Sequence, residues 1–377
     1  MLYRRLVKDM DFTLLAAVIL LLAYSLVVQA SATTNMPVGG DPWYYTKRHA
    51  LYIGVGLVAM FGAMSVDYRS LARWYKVIYV ANLLLLAGVL VAGSSAMGAQ
   101  RWFHVGPFSV QPSEFAKVAI ILTLAAHLSR RVDRLERWTD FILPFCHAGL
   151  PALLILIQPD LGTSLVFSGI LLGMLFIAGA PWTHLAAIYG GALAAAVSWV
   201  VLHLKYGVWI PLKAYQLKRL IVFAQPNIDP LGAGYHIKQA LVAIGSGQLL
   251  GKGLFTGTQS RLRFLPMQHT DFVFAVVGEE LGFVGAVALL SLFFVIIWRG
   301  ARIAAEAKDA FGTLVAAGIV SMFAFHIIVN VGMTVGIMPI TGIPLPFVSN
   351  GGSAMVTNCI AVGLLLGIHF RRRSISF

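Results

Sequence analysis

The chain reads as an all-α polytopic membrane protein with about ten transmembrane helices and a long extracytoplasmic loop between the seventh and eighth. Three observations carry this reading. Of 377 residues, 59% are hydrophobic and 11% charged, which is not the balance of a soluble domain. Apolar runs near the twenty residues or so that cross a bilayer recur along the whole chain. Basic residues gather in alternate connections, as they do on the cytoplasmic side of membrane proteins.

The apolar helices are expected near 12–30, 48–66, 76–93, 113–128, 142–157, 162–179, 184–204, 271–298, 311–338 and 350–370. The runs at 113–128 and 142–157 are short for a span, and those at 271–298 and 311–338 are long enough to tilt or protrude. One set of ends holds Arg4, Arg5 and Lys8, then Arg69, Arg73 and Lys76, then Arg130, Arg131, Arg134 and Arg137. Arg299, Arg302 and Lys308 follow, with Arg371, Arg372 and Arg373 last. The short loops of the other side hold only Lys47, Arg48 and Arg101. Both termini are therefore expected in the cytoplasm. The whole of 1–377 reads as one transmembrane domain, with 205–270 as a large extracytoplasmic loop inside it. That loop is too long for a plain connector. Its stretch 234–250, GYHIKQALVAIGSGQLL, is amphipathic and suits the membrane surface, or else packing over the bundle mouth.

The organising stretch is 258–285, TQSRLRFLPMQHTDFVFAVVGEELGFVG. It begins basic and polar, passes a proline and enters the eighth apolar run at Asp271. Glu279 and Glu280 lie two turns deeper, where ionisable groups are costly unless paired or hydrated. On a continuous helix Gly278, Gly282 and Gly285 fall on the side of Asp271, open to close approach by another backbone. Two readings of Asp271 stand at this point, a helix cap and a general base.

Segment 98–117, GAQRWFHVGPFSVQPSEFAK, starts a helix at Pro112. Glu114 and Lys117 then share one face, either neutralising each other or serving a site. Arg101 and Trp102 form an interfacial anchor, or bind a phosphate and stack on a sugar. Asp160, in QPDLGT, reads in isolation as a helix cap. The loop MPITGIPLPFVSNGGS holds three prolines and is expected to be rigid, non-helical and buried in protein or lining a watery cavity. Ser349 is expected to open the last helix, as an N-cap or beside free N–H groups that receive an anion. Asn330 reads as an interhelical hydrogen-bonding residue. Together these groups make a mixed-charge cleft at the outer mouth of the bundle, suited to an amphiphile with phosphate and sugar parts.

Other classes fit less well. The net charge of +13 is the charge of cytoplasmic loops, and nothing resembles a nucleic-acid module. Cys146 and Cys359 lie in apolar runs, so no disulfide framework and no metal spacing is expected. His269 precedes Asp271, but no serine or cysteine nucleophile accompanies it. The first apolar run is too long for a cleavable signal.

Over nearly its whole length the chain resembles the SEDS family (shape, elongation, division and sporulation). The most specific matches are GAQRWFHVGPFSVQPSEFAK, QPDLGTSL, YHIKQALVAIGSGQLLGKG, the stretch from TQSRLRFLP to GEELGF, and PITGIPLPFVSNGGS. The run TQSRLRFLP favours the elongation branch over the division branch. The resemblance implies a ten-helix peptidoglycan glycosyltransferase of the bacterial inner membrane. It would polymerise lipid II on the outer face, with a class B penicillin-binding protein and other elongation-complex membrane proteins as partners. It puts the essential aspartate on Asp271, a Trp motif on Trp102, the Glu/Lys pair on Glu114 and Lys117, and a further aspartate on Asp160. Departures are Asn350, Ala354 and Met267. The leaving undecaprenyl diphosphate calls for Arg or Lys, or for a divalent cation such as Mg²⁺ or Mn²⁺. The rival reading is a flippase of lipid-linked precursor, since intramembrane charge and broken helices suit transport too.

Overall fold

A computed structural model describes residues 10–372 other than 97, 98, 107, 133, 211, 226, 227, 230 and 231. Arg4, Arg5, Lys8 and Arg373 lie outside the described residues. The chain begins with α1 (Phe12–Thr33), α2 (Tyr44–Ser65), a short α3 (Tyr68–Arg73) and α4 (Tyr75–Ala92). Then come strands β1 (Ser94–Ala96), β2 (Ala99–Val105) and β3 (Phe108–Val110), followed by α5 (Pro112–Leu128). A 3₁₀ turn leads into α6 (Ile142–Ile157), then α7 (Leu161–Ile177) and α8 (Trp182–Tyr206). Helices α9 (Ala214–Ala224) and α10 (Ala233–Gly247) precede α11 (Val273–Glu280) and α12 (Gly282–Glu306). The chain finishes with α13 (Ala310–Thr334) and α14 (Gly352–Phe370).

Each expected apolar run is helical, and the run 142–157 coincides with α6. Among the described residues, seven helices are long and apolar enough to cross a membrane, and α7 is a shorter apolar helix. The protein is a multi-pass, all-α membrane protein. Capping follows local chemistry. Asp11 accepts from Leu14 N at 3.0 Å, Asp160 from Thr163 N at 3.1 Å, and Asp309 from Gly312 N at 2.8 Å. Pro112 occupies the first turn of α5, where its missing N–H costs nothing.

Two features differ from expectation. Between the helices expected at 76–93 and 113–128 the chain forms a small antiparallel sheet in the order β1-β2-β3. The eighth run is not one helix: it breaks at Gly282, whose φ of +63° is left-handed. The reason is close packing. A Cβ on Gly282 would lie 2.3 Å from Gly251 N, so the chain after α10 passes against the break. Phe283 N and Val284 N donate to the carbonyls of Gln248 and Leu249, while Lys252 N and Gly253 N donate to those of Glu279 and Glu280. The expected backbone approach is thus present at Gly278 and Gly282, whereas the nearest atoms to a Cβ on Gly285 belong to Leu281 of its own chain segment.

Helix α10 takes the second of its two expected settings, packing against the protein. Ile237, Ala240 and Ala243 are buried with Phe272, Ala275 and Val276 in a second, smaller core. The long loop is therefore helical and docked on α11. The main core runs through α1, α5, α7, α12, α13 and α14. Helix α8 stands apart, with Leu185 its one buried residue among those described.

The connections divide between two ends. Arg299 pairs with Asp11, Arg69 with Asp309 and Arg372 with Glu306 at one end. The opposite end gathers β2, the 158–160 turn, the chain around 270 and the 339–351 loop.

Candidate functional site

Asp271 lies in the turn just before α11, outside the spanning helices and partly exposed. Two elements hold its backbone. Met267, with a left-handed φ of 52°, accepts from Thr270 N and Phe272 N, closing a tight turn. Asn330 of α13 donates to the carbonyls of Asp271 (2.9 Å) and Ile343 (2.7 Å), tying that turn to the last loop. Asn330 is thus a hydrogen-bonding residue of the interior as expected, but it joins its helix to a turn and a loop rather than to another helix. Gly342, at φ +75°, brings the last loop against the Asp271 carboxylate: a Cβ there would lie 3.4 Å from Oδ2 and 3.7 Å from Arg219 Nη1.

Burial pushes the Asp271 carboxyl above the usual carboxylate range. Arg219 and the Thr270 hydroxyl oppose that rise, and Asp160 adds to it. A carboxylate raised by burial but kept ionisable by a nearby guanidinium is a better proton acceptor than a free aspartate.

Asp160 caps α7 through Oδ1, as read in isolation. Through Oδ2 it also meets Gln111 Nε2 at 3.3 Å and Arg101 Nη1 at 3.5 Å. Arg101 is committed to this turn. Its Nε donates to the Gln158 carbonyl at 2.8 Å and its Nη2 to the Pro159 carbonyl. Three protein acceptors thus engage its fork and fix its position at this turn. Trp102 sits beside it in β2, half-buried, opposite Ser94.

Glu114 and Lys117 are fully buried in α5. Lys117 Nζ lies 2.9 Å from both carboxylate oxygens and 3.1 Å from His326 Nε2. His326 Nδ1 lies 3.1 Å from the Pro344 carbonyl. A carbonyl only accepts, so Nδ1 carries the proton and Nε2 accepts from Lys117. The two charges pair with each other, and the contact extends through His326 to the last loop.

Ser349 does not open the last helix, which starts at Gly352 behind Gly351. Neither expected role applies. Its hydroxyl donates to the Thr270 carbonyl at 2.6 Å and accepts from Leu345 N at 2.8 Å, pinning the last loop beside Asp271. Asn350 N and Gln29 Nε2 both donate to the His269 carbonyl, and the His269 ring rests against Tyr45. Burial holds the His269 imidazole below its ordinary value. Ala354 lies in the first turn of α14.

Glu279 and Glu280 do not reach this cleft. Glu279 takes Lys252 Nζ at 2.9 Å and the backbone N–H groups of Gln259 and Ser260 at 2.8 and 3.2 Å. Glu280 takes the Ser31 hydroxyl at 2.5 Å. Both anchor the loop rather than a substrate.

The structure brings Asp271 and Ser349 against the 339–349 loop and ties Lys117 to it through His326 and Pro344, with Arg101 and Asp160 paired at the neighbouring 158–160 turn. Glu114 and Lys117 are buried inside the bundle rather than lining a cleft. Sequence reasoning missed Arg219, His326 and Gln111. The sequence shows a glycine at 342 but neither its left-handed angle nor its closeness to Asp271 and Arg219.

A bundle of apolar spanning helices with a carboxylate raised by burial at one end defines a polytopic membrane protein with a candidate acid–base site. A family profile described as a cell cycle protein, spanning FtsW, RodA and SpoVE, matches residues 11–374, and the chain belongs to this family. It is 39% identical to the stage V sporulation protein E of Bacillus subtilis (strain 168), over 96% of each chain. It is 38% identical to the peptidoglycan glycosyltransferase MrdB of Escherichia coli (strain K12), over 97% of this chain and 95% of that one. A solved chain from work on structural coordination of polymerization and crosslinking by a peptidoglycan synthase complex superposes with a TM-score of 0.80. The two share 33% identity, over 96% of this chain and 98% of that one.

Proposed function

We propose that the chain is a peptidoglycan glycosyltransferase that polymerises lipid II on the outer face of the bacterial inner membrane during elongation. Both termini would then be cytoplasmic. Asp271 is the general base. It takes the proton from the 4-hydroxyl of the acceptor GlcNAc as that oxygen attacks the anomeric carbon of the donor MurNAc. The C–O bond to undecaprenyl diphosphate breaks with inversion, and the diphosphate leaves with the bonding pair. No protonated acid is needed, because a diphosphate leaves as an anion. The observation that carries this reading is the partly exposed Asp271 carboxylate, raised by burial and facing Arg219 across Gly342.

Arg219 is a cation beside the base, Arg101 braces the 158–160 turn or contacts a phosphate, and Trp102 stacks on a sugar. Glu114, Lys117, Asp160, His269 and Ser349 support the turn and loop around the base. Among the described residues no three His, Cys, Asp or Glu side chains form a metal-binding group. A Mg²⁺ or Mn²⁺ ion would suit Asp271 or Asp160 together with the substrate diphosphate, since Mg²⁺ commonly uses one or two carboxylates plus phosphates. There it would neutralise leaving-group charge. A class B penicillin-binding protein is the proposed transpeptidase partner, supported by the polymerization-and-crosslinking complex to which the chain is similar.

The test is purified full-length chain given lipid II in detergent, alone, with a transpeptidase partner, and with a chelator, the polymer being read on a gel. Wild type should make glycan strands. Asp271→Asn should make none while remaining folded. A folded wild type that moves lipid II across vesicles but makes no polymer would establish the flippase reading instead.

A further inference from the structure

At the end of the bundle opposite Asp271, a cleft of about 690 Å³ opens between the starts and ends of α1, α12 and α14. Three guanidinium groups line it, Arg299, Arg302 and Arg372, against two carboxylates, Asp11 and Glu306. Arg299 is spent on Asp11, which is 1% exposed, through Nε and Nη2 at 2.8 and 2.6 Å. Glu306 is shared, taking Arg302 Nε at 2.8 Å and Arg372 Nη1. One carboxylate therefore faces two guanidinium groups. Among the described residues, neither Nη of Arg302 has a partner within the chain, and the Arg302 side chain is 52% exposed. The cleft thus combines surplus positive charge with unused donors.

Its setting selects the anion. The cleft lies at the ends of apolar helices, and α1 and α12 each expose an aromatic side chain beside it. Phe12, in its lining, is 52% exposed, and Trp298, beneath Arg299, is 49% exposed. Aromatic residues at a bilayer boundary mark headgroup depth, and basic pockets between spanning helices receive anionic headgroups. We propose that this cleft binds the phosphate of an anionic phospholipid, with Arg302 and Arg372 donating to it and Phe12 lying along the first acyl carbons. A soluble anion would use the same guanidinium groups but gain nothing from Phe12.

The full-length protein, purified in detergent, would be titrated with phosphatidylglycerol or phosphatidylcholine and the retained lipid counted by native mass spectrometry. Phosphatidylglycerol should be retained in preference. Arg302→Ala and Arg372→Ala should each weaken that retention by roughly fivefold, the scale of one basic residue at a charged interface. Glu306→Gln should strengthen it, because the competing carboxylate loses its charge, and this variant keeps the result readable if an arginine variant misfolds. Equal retention of the two lipids, or weaker retention by Glu306→Gln, would overturn the proposal. So would displacement of phosphatidylglycerol by an equal concentration of inorganic phosphate, which would make the cleft a site for free anions.

Discussion

Lys117 Nζ and His326 Nε2 stand 3.1 Å apart in the interior of the bundle, with Glu114 on the far side of the ammonium group. This contact connects α5 to α13 and, through Pro344, to the loop that carries Gly342 against Asp271. His326→Leu removes an acceptor from Lys117 and a donor from the Pro344 carbonyl. It should cost about 1–3 kcal/mol of stability and lower the turnover rate more than substrate affinity. Glutamine, with one donor and one acceptor, should recover part of both. Lys117→Met should be worse, on the order of 3–5 kcal/mol, because Glu114 is left buried without its counter-charge. Thermal unfolding in detergent ranks the three variants, and equal effects of Leu and Gln would dismiss the hydrogen-bonded role.

The raised carboxyl of Asp271 sets the pH dependence. A base must be ionised, so polymerisation should fall as pH drops through a value above the ordinary carboxylate range. Arg219 opposes the rise, so Arg219→Gln should move this acid limb to still higher pH. Stability has its own sign. Because the folded-state pKa is the higher one, the unfolded chain ionises first. The cost of the buried charge grows as pH rises through that window and is complete above the folded pKa. At neutral pH, Asp271→Asn should therefore lose activity by about 10²-fold or more while unfolding no more easily than wild type. A rate profile for Arg219→Gln that is unmoved or shifted to lower pH would contradict the assignment.

The two buried glutamates should respond differently to the same change. Glu279 faces two backbone N–H groups that cannot turn away. An amide nitrogen in its place meets donor with donor, and Glu279→Gln should cost about 2 kcal/mol. Glu280 also takes backbone N–H groups, those of Phe255 and Gly257, but its other partners are the hydroxyls of Ser31 and Ser260, which can rotate to accept, whereas Glu279 loses its ion pair with Lys252 as well. Glu280→Gln should therefore cost less than Glu279→Gln. Chemical denaturation of the two variants checks the order.

Gly342 is held by its backbone angle. Its φ of +75° resists any side chain, and a methyl group would stand in ordinary contact with the Asp271 carboxylate and Arg219, between the two charged groups. Gly342→Ala should cost roughly 1 kcal/mol from backbone strain alone. It should reduce polymerisation by a larger factor than that loss of stability accounts for, as a gel assay at matched folded protein would show.

The helices were legible because apolar runs of span length are bounded by charge, proline or glycine, as at 142–157. The groups of the site were legible because polar residues at membrane depth are conspicuous. What escaped the sequence was relational. Arg219 sits in an amphipathic loop helix with no local sign of its distance from Asp271. His326 is one histidine on an apolar helix and reads as core. Ser349 was placed too late in structure because Asn350 and Gly351 delay the helix, leaving its hydroxyl for Thr270. The small sheet at 94–110 lacks the strict alternation that signals strands. Gly282 read as a packing glycine on a continuous helix, and only its backbone angle reveals the break.

That break joins two segments far apart in the chain. Backbone bonds from Gly247–Gly253 to Glu279–Val284, the anchored Glu279 and the shared core of Ile237, Ala243 and Val276 leave little that can open alone. Residues 233–260 and 273–284 should therefore melt as one cooperative unit. Their amides would exchange with deuterium at a common rate, and loosening either segment, from any direction, would release the turn that carries Asp271.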